Sequence, residues 1–194
     1  MNLNNQTNQT DPTNKTNMTN PTKMPRNIEI KARVDSLDRL ESRVRKVSDA
    51  PAQILAQDDT FFHCHTGRLK LRDFGNGRGE LIAYRRADQA GPKTSQYRIS
   101  ASSDPEGLRA TLSEALGVLG RVRKQRRVIM IGRTRVHLDR VEGLGDFMEL
   151  EVVLDADESS DSGMQEAEAL IDSLGIAPDD LIEGAYIDLL LGQG

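Results

Sequence analysis

Residues 26–34 read Arg-Asn-Ile-Glu-Ile-Lys-Ala-Arg-Val, an alternation that suits few structures other than a strand. With a period of two, Asn27, Glu29, Lys31 and Arg33 share one face, while Ile28, Ile30, Ala32 and Val34 share the other. The β-branched members of the second face pack well on a pleated surface. Taken singly, the charged face is the solvated side of an antiparallel strand. What constrains the fold is that later segments repeat the device.

In 67–74, Arg68, Lys70 and Arg72 alternate with Leu69 and Leu71. In 121–131, Lys124 and Arg126 share a face. In 134–141 it is His137 and Asp139, and in 146–154 it is Glu149 and Glu151. Strands are also expected at 58–63, 80–86 and 95–101, where Arg85 and Arg98 lie opposite Ile82, Tyr84, Tyr97 and Ile99. Between 75 and 79 the chain reads Gly-Asn-Gly-Arg-Gly, which is hairpin chemistry rather than a phosphate loop, because no helix comes after it.

Helical spacing recurs in four places. Asp35 is the expected N-cap for Leu37, Leu40, Val44 and Val47. Asp104-Pro105-Glu106 opens a second helix that ends at Gly117. Ala167, Leu170, Ile171 and Leu174 mark a third. Pro178 opens a fourth, with Leu181, Ile182, Ala185, Tyr186, Leu189 and Leu190 inward.

Composition narrows the class. Positions 2–23 are almost wholly Asn, Thr, Gln, Pro and Lys, too polar to offset the entropy of ordering, so 1–24 is expected to be a disordered tail and 25–194 a single domain. The tail has neither the apolar segment of a signal peptide nor the basic amphipathic pattern of a transit peptide. A single cysteine, Cys64, leaves no internal disulfide framework and suits a cytoplasmic location. No apolar run is long enough for a membrane helix. A net charge of −4 argues against a general nucleic-acid binder, so any cationic site is local. His63-Cys64-His65 lacks the further ligands of a zinc site and reads as a strand end.

Eight strands joined mostly by hairpins, with about four helices, give an α+β class with an antiparallel sheet. The sheet can be open with one wet face. If it closes into a barrel, the charged faces point into a lumen, where uncompensated like charges are costly. A cationic wall then calls for a multiply charged anion, and a carboxylate cluster beside it for a hard divalent cation. Those are the parts used in phosphoryl transfer.

Glu29-Ile30-Lys31 resembles the end of the Glu-x-Glu-x-Lys signature of the CYTH superfamily, the triphosphate tunnel metalloenzymes. The similarity runs from about Arg26 to Leu191 through Asp58-Asp59-Thr60-Phe61-Phe62, Lys70/Arg72, Lys124-x-Arg126, Asp139, Phe147-Met148-Glu149-Leu150-Glu151 and Ala185-Tyr186-Ile187-Asp188-Leu189-Leu190. Within the superfamily the chain most resembles the class IV adenylyl cyclase branch. The resemblance implies an eight-stranded closed antiparallel barrel holding a triphosphate with Mg²⁺ or Mn²⁺. Lys31, Arg33, Lys70, Arg72, Arg85, Arg98, Lys124 and Arg126 would bind phosphates, and Glu29, Asp139, Glu149 and Glu151 would bind metal. Lys31, Arg126 and Asp139 would act in catalysis. The implied reaction is ATP to cyclic AMP and pyrophosphate. A triphosphate phosphohydrolase and a non-catalytic polyphosphate or nucleotide binder are the alternatives. Its partner would be a small triphosphate, not nucleic acid or a membrane; a homodimer is allowed but not required. One departure stands out: the signature's first glutamate is Asn27 here.

Overall fold

The computed structural model describes residues 24–48 and 50–192; apart from Met24, the expected tail lies outside them. The strands are β1 (Arg26–Arg33), β2 (Gln53–Phe62), β3 (Arg68–Asp73), β4 (Gly79–Arg86), β5 (Lys93–Ser102), β6 (Val118–Ile131), β7 (Thr134–Val141) and β8 (Gly145–Val153). They form a closed barrel in the order β1-β5-β4-β3-β2-β6-β7-β8, and every neighbouring pair is antiparallel. Of the two arrangements the sequence allows, the sheet adopts the closed one. The alternation explains why: on β1, β3, β7 and β8 the polar face turns inward, and on β1, β7 and β8 the apolar face turns out. Strand β6 sends Lys124 and Arg126 inward and Arg121, Arg123, Gln125 and Arg127 outward.

The apolar core therefore lies outside the barrel. Ile28, Ile30, Val136, Leu138, Met148, Leu150 and Val152 are buried under two helices, α1 (Leu37–Val44) and α3 (Ser160–Ser173). Each such side chain contributes about 1.5–3 kcal/mol by leaving water. The close approach of α3 depends on Gly163, where a Cβ would stand 2.5 Å from Leu154 Cδ2 and 2.8 Å from Ile28 Cγ1. The N-cap of α1 is Ser36 rather than Asp35; its hydroxyl accepts from the Arg39 amide at 3.3 Å. A third helix, α2 (Pro105–Leu116), opens on an Asp104 cap with Pro105 at its first position and stops at Gly117, where φ is 74°.

The expected fourth helix is divided. Pro178–Asp180 makes one 3-10 turn, Leu181 bridges to Ala32, and only α4 (Tyr186–Leu191) is α-helical. The intervening residues are extended because their backbone continues onto β1: the Ile182 amide donates to the Lys31 carbonyl at 3.0 Å. This segment carries Ala185 and Tyr186 across one end of the lumen, into a second apolar cluster with Phe61, Val122 and Phe147. Among the described residues, no helix is long and apolar enough to cross a membrane.

Candidate triphosphate and metal site

Cross-strand register decides which charges meet. β1 against β8 sets Glu29 opposite Glu151 and Lys31 opposite Glu149. β7 against β8 sets Arg135 opposite Glu151 and His137 opposite Glu149. Arg126 faces Asp139 across β6 and β7, and Arg72 faces Asp59 across β2 and β3. Paired side chains project to the same side of a sheet, so these groups, Asp139 apart, line one cavity.

One side of the cavity is acidic. His137, Glu149 and Glu151 each offer a donor atom within 4.8 Å of the others, with Glu29 beside them. Every carboxylate has a resident cation. Arg86 donates to Glu29 at 2.8 Å, Arg126 to Glu149 at 2.7 Å and Arg135 to Glu151 at 2.9 Å; Lys31 lies 3.5 Å from Glu149. Burial opposes the charge of Glu149 and Glu151. Lys31 and Arg126 nonetheless hold Glu149 well below the usual carboxylate range, and His137 and Arg135 bring Glu151 down to about 2. Glu29 moves the other way. Burial raises it above all; Arg86 lowers it, and the charges of Glu149 and Glu151 raise it again.

The other side is cationic. Asp59 is buried and accepts from Lys70 at 2.8 Å and from Arg72 at 2.8 and 2.9 Å; against the penalty of burial, these two partners keep it ionised. Lys124 has a weaker partner, Asp139 at 3.6 Å. Burial, reinforced by Arg126, lowers its ammonium to about 7.

All of the buried side-chain polar atoms found without a hydrogen-bond partner among the described residues belong to the lining: Asn27 Oδ1, Gln57 Oε1, Arg86 Nε and His137 Nδ1. Folded proteins rarely leave such atoms unsatisfied, so their confinement to one lumen marks a place built for a polar ligand. The donor set on the acidic side, two ionised carboxylates and an imidazole nitrogen, fits a divalent cation.

Lys31, Lys70, Arg72, Lys124, Arg126, Glu29, Glu149 and Glu151 thus converge. Arg85 and Arg98 do not. Both are exposed on the outer face, and Arg86, Tyr84, Ser95 and Tyr97 take the inward positions of β4 and β5. The expectation failed because helices α1 and α3 cover only the other half of the barrel, so β4 and β5 need no apolar outer face and place Ile82, Tyr84 and Ile99 inside. Arg33 is exposed beyond the lumen, over the Phe147 ring, with Nη1 donating to the Leu144 carbonyl at 3.0 Å.

Asp139 stands behind the wall rather than among the metal donors. It is fully buried. Its oxygens accept from Arg126 at 2.7 and 2.6 Å and from the Tyr186 hydroxyl at 2.9 Å. With both oxygens engaged, it orients Arg126 and Tyr186 instead of facing a cation. Tyr186, read from the sequence as a core anchor, also roofs the site: Lys31 lies over its ring at 3.9 Å and Lys124 at 5.0 Å. Arg135 and Arg86 were missed. Arg135 was legible, two positions from His137 on an alternating strand; Arg86 was hidden by Arg85 next to it.

A family model described as the CYTH domain matches residues 25–186. No curated protein matches the chain. Among solved structures, the PH1012 protein of Pyrococcus horikoshii is 23% identical with a TM-score of 0.74, over 84% of this chain and 98% of that one. A Vibrio parahaemolyticus protein provisionally described as an adenylate cyclase is 16% identical, with a TM-score of 0.68 over 87% and 99% of the two chains. A Hippeastrum protein, provisionally named an adenylyl cyclase and described as revealing a dominant triphosphatase activity, is 18% identical with a TM-score of 0.62, over 86% and 96%. These likenesses are likenesses of fold.

Proposed function

The chain belongs to the CYTH domain family, and from that premise we propose a divalent-metal-dependent enzyme acting on an organic triphosphate, with ATP cyclised to cyclic AMP and pyrophosphate. The observation that carries this reading is the gradient of chemistry along the lumen. Lys31 and Lys124 lie at the Tyr186 end, and Lys70 and Ile82 are level with each other farther along. Apolar Leu55, Ile99 and Val128 line the strand ends remote from Tyr186, with His137 of the acidic corner level with Val128. An organic triphosphate fits in one direction, with its terminal phosphates among the lysines and its organic part against the apolar residues.

That direction sets the acidic corner beside the phosphate nearest the organic group. Glu149, Glu151 and His137 would hold the cation there, with Glu29 next to them. Such a cation, when bound, polarises a phosphoryl oxygen and acidifies a nearby hydroxyl. In cyclisation the ribose 3′-oxygen bonds to the α-phosphorus, and the bond from that phosphorus to the bridging oxygen breaks. The electron pair leaves with pyrophosphate. Lys31, Lys70 and Lys124 are placed to stabilise the charge on that leaving group. Glu29, the carboxyl of the lumen raised by burial and by its acidic neighbours, is suited to accept the 3′-hydroxyl proton.

A second reading is hydrolysis of the terminal phosphate. It is favoured by the concentration of lysines at the closed end and by the activity described for the Hippeastrum protein. The test is product identification from ATP and from inorganic tripolyphosphate with Mg²⁺ or Mn²⁺. Cyclic AMP with pyrophosphate supports cyclisation, and ADP with phosphate supports hydrolysis. Tight binding without turnover of either substrate leaves a binding protein, a role that Asn27 in place of a carboxylate would suit.

A further inference from the structure

His137 is the histidine of β7, 4% exposed, and its Nδ1 has no hydrogen-bond partner. The nitrogen faces Glu149 Oε2 at 3.7 Å and Glu151 Oε1 at 3.6 Å, too far for a hydrogen bond to either. Neither tautomer explains this arrangement in an empty site. With a proton on Nδ1, the N–H points at two carboxylates and reaches neither. Without one, a lone pair confronts two carboxylate oxygens. A cation between the three atoms removes both difficulties. Two ligands held about 2.1 Å from one ion are about 3.0–3.6 Å apart, so the two distances from His137 Nδ1 need only a small closure, while Glu149 Oε2 also accepts from Arg126 at 2.7 Å.

We propose that His137 Nδ1 is a direct metal ligand, completing a site with Glu149 and Glu151 that takes a transition-metal dication such as Mn²⁺ or Co²⁺ in preference to Mg²⁺. The inference deepens the functional reading and rests on its premise that the acidic corner holds the metal. The chemistry is set by ligand type. Mg²⁺ prefers oxygen donors and gives up water reluctantly, whereas imidazole nitrogen suits the later first-row metals. Asn27 points the same way, because the lumen here lacks a charge that would favour a hard cation.

The chain has three histidines, and the other two, His63 and His65, are exposed at the end of β2. A His63→Ala/His65→Ala protein, untagged and labelled with ¹⁵N-histidine, therefore carries its label at His137 alone. Pulsed electron paramagnetic resonance of the Mn²⁺-loaded protein should show coupling to ¹⁵N. Calorimetry without nucleotide should show Co²⁺ binding at least a hundredfold tighter than Mg²⁺. His137→Gln in the same background should weaken Co²⁺ at least tenfold and Mg²⁺ less than threefold. Bound Mn²⁺ with no ¹⁵N coupling overturns the proposal, even if the His137→Gln protein fails to fold. Equal losses for Co²⁺ and Mg²⁺ overturn it as well. Nitrogen coupling in a protein that processes no triphosphate upholds the ligand and defeats the functional reading; turnover with Mg²⁺ and no coupling does the reverse.

Discussion

The two sides of the lumen solve the problem of buried charge differently. On the acidic side, each carboxylate is met by at least one cation from another strand: Glu29 by Arg86, Glu149 by Arg126 and Lys31, Glu151 by Arg135. On the cationic side a single carboxylate, Asp59, serves both Lys70 and Arg72, and Lys124 is left with a 3.6 Å partner. The acidic side thus holds Glu149 and Glu151 below the usual carboxylate range and Glu29 above it, while the cationic side keeps one lysine near its titration point. A triphosphate does more for the second side than for the first. It can supply Lys124 with the charge it lacks, whereas the carboxylates gain from a cation chiefly by relieving their mutual repulsion.

The largest expected effect tests whether Asp139 belongs to the framework or to the metal. Asp139→Ala leaves Arg126 buried with half its partners gone, which should cost about 3–5 kcal/mol in equilibrium denaturation. A metal-ligand role would instead leave stability intact and lower metal affinity. Next comes Glu149→Gln, which keeps shape and removes a charge from the acidic side. Turnover of ATP should fall on the order of a hundredfold, about 2.7 kcal/mol. Unchanged turnover at limiting metal would remove Glu149 from the site.

The roof that the two sides share gives a smaller effect. Tyr186→Phe deletes a 2.9 Å hydrogen bond to Asp139 but keeps the ring beneath Lys31, and should lower stability by about 1 kcal/mol. A loss above about 3 kcal/mol would mean that the hydroxyl, not the ring, closes the lumen.

The contrast in titration has a direct readout. Lys124 sits at about 7 in the folded chain and at the ordinary lysine value when unfolded, so between those pH values the unfolded chain binds more protons. Its contribution to stability therefore rises with pH from about 7 to 10, falls on acidification from 10 to 7 and is constant below 7. Tripolyphosphate binding at pH 8 should recharge it, taking up on the order of one proton, measurable by calorimetry in two buffers of different ionisation enthalpy. No uptake would show that Lys124 stays neutral beside the ligand. The smallest effect is expected outside the barrel. Arg85→Ala with Arg98→Ala should change stability by less than about 0.5 kcal/mol and leave triphosphate affinity within twofold.

This geometry explains which residues were legible in the sequence. On β1, β3 and β8 the charges cluster at alternate positions, so alternation groups Glu29 with Lys31, Lys70 with Arg72 and Glu149 with Glu151. β6 has cations on both faces, with Arg121, Arg123 and Arg127 opposite Lys124 and Arg126, so alternation alone does not say which of its faces turns inward. β4 and β5 mix polar and apolar residues on both faces, and only their pairing register, with Arg86 opposite Ser95 and Tyr84 opposite Tyr97, says which points inward. The division of the last helix was hidden for a similar reason. Leu181 and Ile182 have helical spacing with Ala185 and Tyr186, but a backbone bond to Lys31, distant in sequence, holds them extended. The Asp139–Arg126–Tyr186 group needs three separate elements to meet, which no local pattern records.

The seam between β1 and β8 has a kinetic consequence. The first strand of the barrel and the last must find each other before the lumen exists, and long-range pairing of this kind makes folding slow. Closing that seam sets Glu29 against Glu151 and Lys31 against Glu149, so it takes these charges from water together. The transition state should then be crossed more readily when a polyanion and a divalent cation are present to meet those charges, so that the ligands of the finished tunnel also act as templates for its assembly.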